Sequence, residues 1–591
     1  MNKIFSFVPK DHLFFENVDT SQITFLEIDK LESPLKNTFD KKWRSTFQTF
    51  LSSNIKGETV FQSLKEDKYL NYWFSYKFTL YYQLKQDFFE FQTIIHQNLE
   101  KGSTIYTQRN SIANSELSSD YNIVKLNSKP KKRIPFFSKL KTLFIFLRIF
   151  FTRVFHSSRA FNKDQNTNRI LVHGNKNSNS ILNLDGKSFS KKNPYWGYLF
   201  DKYPTKFEVI DELDISKETA NFTLKWNPNF TESIYKDSVT IDYIIFRYLI
   251  NPIHFCKEIK HSFSLKKRLK TIDANIIEFG SKLISSFYGQ NFLALIYFRI
   301  KRNAVAQFLK NNKKDKNTIV TYGERTSGGY YYISAGNKQN YKTVALQHGI
   351  ISHYNIAYNL NETEVLEPNL PTKTLTWGSS YSSVLEKENY AKSEIQTIGQ
   401  IRTDIIPILM NQHHKSTLKH SKTVVFFSQP QPNYLKDRFN EVSALIKAFK
   451  TLSDIKLIIK LHPIEEDDIF TKLILENNVD NVEIDSTTDT YTSIAMSDMC
   501  ITCYSTVGYE VLYFKKDLMH LDFSKKDLAN FTKDNISIPL YSEMDIIHQI
   551  QSFFKNRTEK TFKQQEYLDQ KLYKGDGQCS ERIFKLIETE L

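Results

Sequence analysis

The chain has 591 residues, of which 40% are hydrophobic and 14% aromatic, and it contains four cysteines. This length predicts more than one domain, while the mean hydropathy of −0.44 argues against a polytopic membrane protein and the few cysteines against a disulfide framework. The net charge of +15 is concentrated, because residues 121–163 contain eleven Lys or Arg and no acidic residue, so a nucleic-acid surface spread over the whole fold is not indicated.

Strand-like and helix-like stretches alternate in the first 120 residues. Ile4–Val8, Ile23–Ile28 and Thr104–Thr107 are short apolar runs, and Phe61–Leu99 is rich in aromatic residues at helical spacing. The first run leads into a turn and is interpreted as a strand, not as a signal peptide. This alternation predicts a βα unit.

The basic segment from Lys129 to Phe155 predicts an amphipathic helix. Its uninterrupted apolar run is far shorter than the ~20 residues that span a bilayer. Basic helices with aromatic residues are typical of membrane interfaces, where anionic lipid attracts them; the alternative is an ordinary helix docked on the protein. At 100° per residue, one face collects Leu140, Leu143, Phe144, Leu147, Phe151, Val154 and Phe155.

The βα alternation resumes after residue 165 in two series. Residues 240–310 have the long apolar stripes of helices, and residues 406–422 are interpreted as a linker. Strands are predicted at Arg169–His173, Phe207–Ile210, Ile319–Tyr322, Thr343–Leu346 and Thr374–Trp377, and then at Thr423–Phe427, Lys456–Leu461, Val482–Ile484, Met499–Cys503 and Leu518–Leu521.

Two βαβ series joined by a linker predict two Rossmann-like, doubly wound α/β domains that face a cleft. The N-terminal, acceptor-side domain covers residues 1–405 and carries the basic insertion at about 121–163. The C-terminal, nucleotide-donor domain covers residues 423–591, and its last helix is a candidate to cross back to the first domain.

His462 marks the first candidate site, because it ends an apolar strand just before Pro463, which stops further pairing. An imidazole there can donate a hydrogen bond to a phosphate oxygen, and Lys460 supplies positive charge nearby. The alternative is a histidine satisfied by contacts at the strand end. We predict that Lys460, His462 and Pro463 contact a donor nucleotide.

Ser505 and Thr506 follow the strand that ends at Cys503, where a helix is predicted to begin. Helix N-termini bind phosphate through free backbone N–H groups. Glu510 lies about one turn further along and is a candidate acceptor for ribose hydroxyls. We predict that these residues complete the donor site; the alternative for Glu510 is a partly buried carboxylate without such a role.

The candidate catalytic residues are Glu324 and His348, which follow two strands of the first series. A histidine base suits deprotonation of a sugar hydroxyl near neutral pH. Gln347 and Gly349 flank His348, and a glycine there lets the backbone approach a ligand. The alternative is a structural role at the strand ends, which for Glu324 includes pairing with a nearby cation.

The order of these motifs resembles that of the GT-B glycosyltransferases of bacterial surface polysaccharide synthesis. The similarity rests on strand-Gln-His-Gly at 343–349, then Gly399, Arg402 and Asp404, then His-Pro at 462–463, then Ser-Thr with a following Glu at 505–510. The group includes His-Pro-containing sialyl- and Kdo-transferases and polyol-phosphate transferases of the teichoic-acid type. The resemblance implies phosphate contacts for His462, Ser505 and Thr506 and adds Arg402 to the candidates.

The sequence therefore predicts a metal-independent, cofactor-free glycosyltransferase that moves a sugar from a nucleotide-activated donor, CMP-linked donors included, to a hydroxyl of a glycan or lipid-linked acceptor. The alternatives are a polyol-phosphate transferase of the CDP-glycerol type and a nonenzymatic membrane-associated binding protein. No Walker loop, G-x-G-x-x-G or strand-following D-x-D is present. The expected location is the inner face of the cell membrane, on anionic lipid, with no nucleic-acid partner.

Overall fold

The structure is a computed structural model with side chains. It describes residues 3–589 apart from residues 9, 11–19, 27–32, 56, 109–115, 127–135, 161–169, 176–178, 194, 214–224, 226–237, 273–279, 289–291, 314–316, 326–327, 350, 352–354, 367–368, 415–421, 430–434, 463–464, 466, 524, 526, 528, 556–566 and 569–571.

The chain divides into two compact units, which do not follow the predicted boundary at residue 405. Unit 1 comprises residues 1–176, 208–345 and 353–372, and unit 2 comprises residues 177–207, 346–352 and 373–591. Unit 2 thus takes in three segments that the sequence assigned to the first domain.

Unit 1 contains two parallel sheets. The smaller one has the order β2-β1-β7-β8, and the strands of the larger one that belong to this unit have the order β13-β12-β9-β14-β15. The first strand of each series lies in the middle, and the chain then adds strands on both sides, which is the doubly wound arrangement. The strand bounds are β1 Ile4–Ser6, β2 Ile23–Phe25, β3 Asn54–Ile55, β4 Glu58–Thr59, β5 Lys65–Asp67, β6 Leu70–Asn71, β7 Thr104–Thr107, β8 Asn122–Lys125, β9 Ile170–Asn175, β12 Phe207–Glu212, β13 Val239–Thr240, β14 Thr318–Tyr322 and β15 Lys342–Leu346.

The helices of unit 1 confirm the helical character predicted for residues 240–310. Their bounds are α1 Ser33–Ser52, α2 Val60–Ser63, α3 Tyr72–His96, α4 Phe136–Ala160, α6 Ile241–Leu249, α7 Pro252–Lys270, α8 Gly280–Tyr288, α9 Phe292–Asn311, α10 Tyr330–Lys338 and α11 Glu362–Val365, with a 3₁₀ turn at Glu116–Ser119. The helical spacing predicted for Phe61–Leu99 is confirmed for α3 and for most of α2, and the β5-β6 hairpin separates these two helices. The side chain of Asp67 accepts a hydrogen bond from the Tyr69 N–H at 2.9 Å and so favours a turn over a helix there.

The predicted amphipathic helix of the basic segment is α4, and residues 127–135 before it lie outside the described residues. One of its basic residues is not at the surface: Arg153 is fully buried, bonded to Asp242 at 2.5 Å and 3.7 Å from Asp211. Burying Arg153 requires such partners, so this cation fastens α4 to unit 1 and is not available to a membrane.

Unit 2 is built on a six-stranded parallel sheet with the order β20-β19-β18-β21-β22-β23. In chain order this is 3-2-1-4-5-6, the order of a Rossmann sheet. Its buried strands pack on flanking helices in one apolar core, and β16 and β17 form a further parallel pair. The strand bounds are β10 Asn179–Leu182, β11 Phe189–Lys192, β16 Lys373–Thr376, β17 Ile395–Thr397, β18 Lys422–Phe427, β19 Ile455–Lys460, β20 Val482–Asp485, β21 Met499–Thr502, β22 Asp517–Leu521 and β23 Ile538–Leu540.

The linker predicted at residues 406–422 begins as a helix, and residues 415–421 lie outside the described part of the chain. Ile406 and Leu409 are buried, which explains why this stretch folds. The helices of unit 2 are α5 Gly197–Lys202, α12 Ser379–Lys387, α13 Ile406–His414, α14 Leu435–Thr451, α15 Asp468–Asn477, α16 Thr490–Met496, α17 Val507–Tyr513, α18 Glu543–Lys555 and α19 Cys579–Thr589, with 3₁₀ turns at Lys392–Glu394 and Ile401–Ile405.

The predicted α/β class with two Rossmann-like, doubly wound sheets is confirmed; the cleft between domains stays a prediction. Among the helices that the structure describes, none is both long enough and apolar enough to cross a bilayer.

Candidate functional site

The predicted donor residues of unit 2 lie at one edge of the six-stranded sheet. Strands β19 and β21 both pair in parallel with β18, one on each side. The residues that follow them, His462 and Ser505, therefore lie at the same carboxyl edge. The chain reverses its direction of strand addition between β18 and β21, and such switch points are where ligands bind in open α/β sheets.

The end of β18 connects the two predicted halves of this edge. Gln429 accepts a hydrogen bond from the Tyr504 N–H at 3.3 Å, and Ser428 donates one to Glu465 at 3.0 Å. Glu465 in turn accepts the His462 N–H at 3.0 Å. The turn at His462 is thus held by a hydrogen bond of its main-chain N–H and does not depend on the contacts of its imidazole.

Lys460 and His462 differ in how much charge they can offer a ligand. Lys460 is 8% exposed and lies 3.7 Å from Asp485, and burial lowers its pKa while Asp485 opposes that shift. His462 is half-buried at the strand end. Pro463 lies outside the described residues.

Ser505 and Thr506 form the turn that starts α17, a helix of seven residues. The Ser505 hydroxyl accepts the Val507 N–H at 3.3 Å. Gly508 allows the first turn to pack closely, because a Cβ there would lie 2.5 Å from the ring of Phe531. The helix start is therefore positioned by close packing, with Thr506 facing a cavity.

Glu510 is buried beside that cavity, with its side chain 2% exposed. One carboxylate oxygen accepts hydrogen bonds from Arg402 and, at 3.3 Å, from Gln400. The other oxygen has no hydrogen-bond partner among the described residues. Burial raises the pKa of Glu510, although Arg402 opposes the shift. The carboxylate holds Arg402 and keeps one acceptor oxygen unused.

His348 follows β15 and is half-buried, and burial lowers its pKa. The ring of Tyr195 meets its imidazole edge-on at 6.5 Å between centroids. A base with a lowered pKa is neutral at neutral pH and can accept a proton.

The neighbours of His348 differ in function. The side chain of Gln347 connects two main-chain segments. Its amide oxygen accepts a hydrogen bond from the Trp377 N–H, and its amide nitrogen donates one to the Gly349 carbonyl, each at 2.8 Å. A Cβ added to Gly349 would meet no atom within 4 Å, and the φ of this glycine is not positive. The glycine is thus not required for a sharp bend, and it leaves open space beside His348.

One cavity of unit 2, of about 150 Å³, brings several of these residues together. A single water needs roughly 10–15 Å³, so the cavity is large enough for a ligand group. Four predicted residues line it: Gln347, His348, Arg402 and Thr506. The predicted catalytic histidine and one predicted donor residue, Thr506, therefore share one cavity with the additional candidates Gln347 and Arg402. The predicted donor residues Lys460, His462, Ser505 and Glu510 do not line it.

The same cavity is lined by residues that were not predicted from the sequence, among them Tyr195, Trp377 and Gln400. Trp377 is the last residue of the predicted strand Thr374–Trp377, so its position at a strand end was a usable signal. Tyr195 precedes α5 in a stretch between two strands of the first series, and no local pattern indicates its role.

The Gly399…Arg402…Asp404 motif has three separate roles in unit 2. Gly399 has φ +102°, a conformation that favours glycine, and Arg402 lines the cavity. Asp404 caps α19, because its carboxylate accepts the N–H groups of Cys579 at 2.7 Å and Ser580 at 3.0 Å. This cap and the bond from Arg582 to the Ile398 carbonyl at 3.0 Å connect the last helix to residues 398–405 within unit 2.

Glu324 lies in unit 1, at the carboxyl end of β14. This strand pairs with β9, across the switch point of the unit 1 sheet. Glu324 is 2% exposed, and neither carboxylate oxygen has a hydrogen-bond partner within the described part of the chain. Burial raises its pKa to about 7. The positive charge of Arg325, the cation next along the chain, opposes this rise in pKa, and its guanidinium also lies 4.9 Å from the centre of the Phe74 ring.

Residues 3–589, less the gaps given above, contain no group of three or more His, Cys, Asp or Glu arranged to hold a metal ion.

No protein-family model and no curated protein matches the chain. Solved structures that it resembles include a putative UDP-N-acetylglucosamine 2-epimerase from Listeria monocytogenes (12% identity, TM-score 0.44, 72% of this chain and 96% of that one). They also include a UDP-GlcNAc 2-epimerase from Neisseria meningitidis bound to UDP-GlcNAc (11%, 0.44, 72% and 100%) and the wall teichoic acid polymerase TagF (12%, 0.41, 76% and 98%). The likeness concerns the fold.

Proposed function

We propose that the protein is a glycosyltransferase of the GT-B type that moves a sugar from a nucleotide-activated donor to a hydroxyl acceptor without a metal ion. The observation that carries the proposal is the cavity of unit 2. It combines a histidine with a lowered pKa, a guanidinium and a threonine at the start of a helix. These groups suit proton removal on one side and stabilisation of a leaving phosphate on the other.

In the proposed reaction, His348 takes the proton of the acceptor hydroxyl as its oxygen attacks the anomeric carbon of the donor sugar. The bond from that carbon to the phosphate oxygen breaks, and the nucleotide leaves with the bonding electrons. The side chain of Arg402 is 37% exposed although Glu510 holds it, so its guanidinium can meet the charge that develops on the phosphate. Preorganised charge of this kind lowers the barrier because it needs no rearrangement.

The donor nucleotide is proposed to occupy the carboxyl edge of the six-stranded sheet, with Lys460, His462, Ser505 and Thr506 at its phosphates. Glu510 would accept a hydrogen bond from a ribose hydroxyl with the carboxylate oxygen that has no partner among the described residues. A buried acceptor without a hydrogen-bond donor lowers the stability of the folded protein, and a ligand that donates a hydrogen bond to it removes this cost. This supports a hydroxyl-bearing ligand next to Arg402.

The proposal is tested by binding of CMP, CDP, UDP, GDP and dTDP, measured as thermal stabilisation and by calorimetry. At least one nucleotide should stabilise the parent. His462→Ala should weaken its binding by about 1.5–3 kcal/mol, the value of a hydrogen bond to a charged group. The fold should persist, since the bond to Glu465 uses the main chain.

His548→Ala, at an exposed position of α18, is the matched control and should bind as the parent does. No stabilisation by any of the five nucleotides would contradict the donor class and favour the nonenzymatic alternative. With a bound nucleotide, product analysis separates the two transferases: phosphorus appears in the acceptor only if a polyol phosphate is transferred.

We further propose that α4 attaches the protein to the inner face of the membrane, where lipid-linked acceptors are found. The predicted apolar face of this helix is solvent-exposed: Phe144, Leu147 and Phe151 are 69%, 41% and 55% exposed. The opposite face is docked on unit 1 through Ile145, Ile149 and Arg153. An exposed aromatic face on a basic segment suits insertion at the headgroup level.

Changing Phe144, Leu147 and Phe151 to Ser should reduce sedimentation with anionic liposomes, because the variant loses the apolar area that enters the bilayer. The control replaces Leu366, Leu475 and Met544, exposed at 80%, 69% and 72% but outside α4, by Ser. Equal sedimentation of the α4 variant and this control with the liposomes would contradict the proposed membrane attachment through α4.

A further inference from the structure

Helix α7 carries a second exposed apolar surface in unit 1. Ile253 and Phe263 are 75% and 74% exposed, and Ile259 is 44% exposed. At 100° per residue these three lie on one side of the helix, whereas Leu265 and Leu269, on the other side, are buried. The helix therefore has a docked face and an outward face that is rich in large apolar groups.

The docked face of α7 is held on unit 1 by hydrogen bonds and ion pairs as well as by apolar packing. Glu258 is 3% exposed and bonded to Tyr248 at 2.7 Å, to Asn303 at 2.9 Å and to Arg299. His261 on the same side lies 2.7 Å from Glu66. These partners hold α7 in one orientation, so its outward side chains are presented by a fixed helix.

The charge of the outward face has one sign. Glu258 is the only acidic residue between Ile250 and Ile272, and it is buried. The outward lysines are Lys257, Lys260, Lys266, Lys267 and Lys270, all of them exposed. Lysines interleaved with isoleucine and phenylalanine can reach the headgroups while the apolar groups enter the bilayer.

Helix α6 connects this surface to α4 within unit 1. It packs against both helices, and Phe246 on α6 meets Phe150 on α4 at 6.5 Å between ring centroids. One turn further along, Ile250 is 64% exposed and leads directly into α7.

We infer that the outward face of α7 is a second membrane-binding surface, which binds anionic bilayers together with α4. The inference deepens the proposed membrane attachment and rests on it. Two membrane-binding surfaces on one folded unit bind a bilayer more tightly than either surface alone. Once the first surface is bound, the second is at a high effective concentration near the bilayer. Anionic lipid attracts the exposed lysines of this face.

The native cysteines allow a direct test. Cys256 lies on the outward face of α7 and is exposed, while Cys500, Cys503 and Cys579 are buried. A polarity-sensitive thiol dye such as NBD will therefore label Cys256 in the folded protein. A double variant of this chain, Phe144→Cys with Cys256→Ser, places the same dye on α4.

With vesicles of phosphatidylglycerol and phosphatidylcholine, the dye at Cys256 should shift to the blue and brighten, and pure phosphatidylcholine should give a much smaller response. Changing Ile253, Ile259 and Phe263 to Ser should abolish the response at Cys256. The same three changes should leave the α4 dye responsive and both the melting temperature and nucleotide binding unchanged.

A responsive α4 dye with a silent Cys256 dye would overturn the α7 inference alone, and silence of both dyes would overturn the membrane attachment as well. An equal response to polyuridylate, or a concentration-dependent response without vesicles, would assign the surface to nucleic acid or to a second copy of the chain and would also overturn it. The nucleotide experiment stays independent of all these results.

Discussion

His348→Ala is expected to lower turnover by about 10²–10⁴-fold, the usual loss when a general base is removed, while the nucleotide still binds. The imidazole is neutral at neutral pH because burial lowers its pKa. The parent's kcat/KM should accordingly rise with pH through a pKa below histidine's ordinary 6.5 and then reach a plateau. Initial rates between pH 5 and 8 measure both effects.

Added imidazole provides a readout that a structural role would not give. The space beside Gly349 is open, so exogenous imidazole should restore part of the activity of His348→Ala. Thermal stabilisation by the nucleotide should stay close to that of the parent. Normal turnover of the variant would exclude His348 as the base, and loss of nucleotide binding would assign it to the donor site instead.

Glu324→Gln is expected to remove a large pH dependence of stability from unit 1. Burial raises the pKa of Glu324 in the folded protein to about 7 from its ordinary 4.5. The folded state therefore holds this proton more tightly than the unfolded state, and stability falls as pH rises from 4.5 through 7. A shift of this size corresponds to about 3 kcal/mol.

Hydrogen exchange of the backbone amides of Thr318–Tyr322 at pH 5 and pH 8 measures this pH dependence of stability at the strand that precedes Glu324. A local measurement suits a chain with two units. The parent should lose protection at pH 8, whereas Glu324→Gln should change little. Glu100→Gln, at an exposed carboxylate in the same unit with 66% side-chain exposure, is the matched control and should behave as the parent does. An unchanged pH dependence in Glu324→Gln would show that Glu324 does not carry it.

The same variant tests the catalytic prediction for Glu324. A carboxyl group with a pKa near 7 exchanges a proton readily at neutral pH, and its removal would cost about 10²–10⁴-fold in turnover. Normal turnover together with a flattened pH dependence of stability would make Glu324 a structural residue. Its position at a sheet switch point would then be incidental to the chemistry.

Local sequence patterns predicted five of the six strands of the six-stranded sheet closely and missed the edge strand β23. Lys456–Leu461 was predicted and Ile455–Lys460 is observed; Met499–Cys503 was predicted and Met499–Thr502 is observed. Parallel strands buried on both faces are continuous apolar runs, and polar residues mark their ends. The shared edge of His462 and Ser505 follows from the same patterns, because parallel strands end on one side of their sheet.

The charged pairs could not be predicted from these patterns. The basic segment was interpreted as an amphipathic helix whose basic residues are attracted to anionic lipid, yet Arg153 is buried against Asp211 and Asp242. Glu510 was predicted to bind ribose, yet one of its oxygens holds Arg402, 108 residues away. Residue type and spacing show that a charge exists, but its partner depends on which helix or strand packs beside it.

By itself, the sequence determined the α/β class, the strands and the edge at which the candidate residues gather, because these depend on periodicity and on strand direction. Only the tertiary structure decided that Tyr195, His348 and Arg402 line one cavity and that Asp404 caps a helix 175 residues further along the chain. Periodicity extends over one element at a time. Long-range contacts are selected by the packing and charge compensation of the whole unit, which no short segment contains.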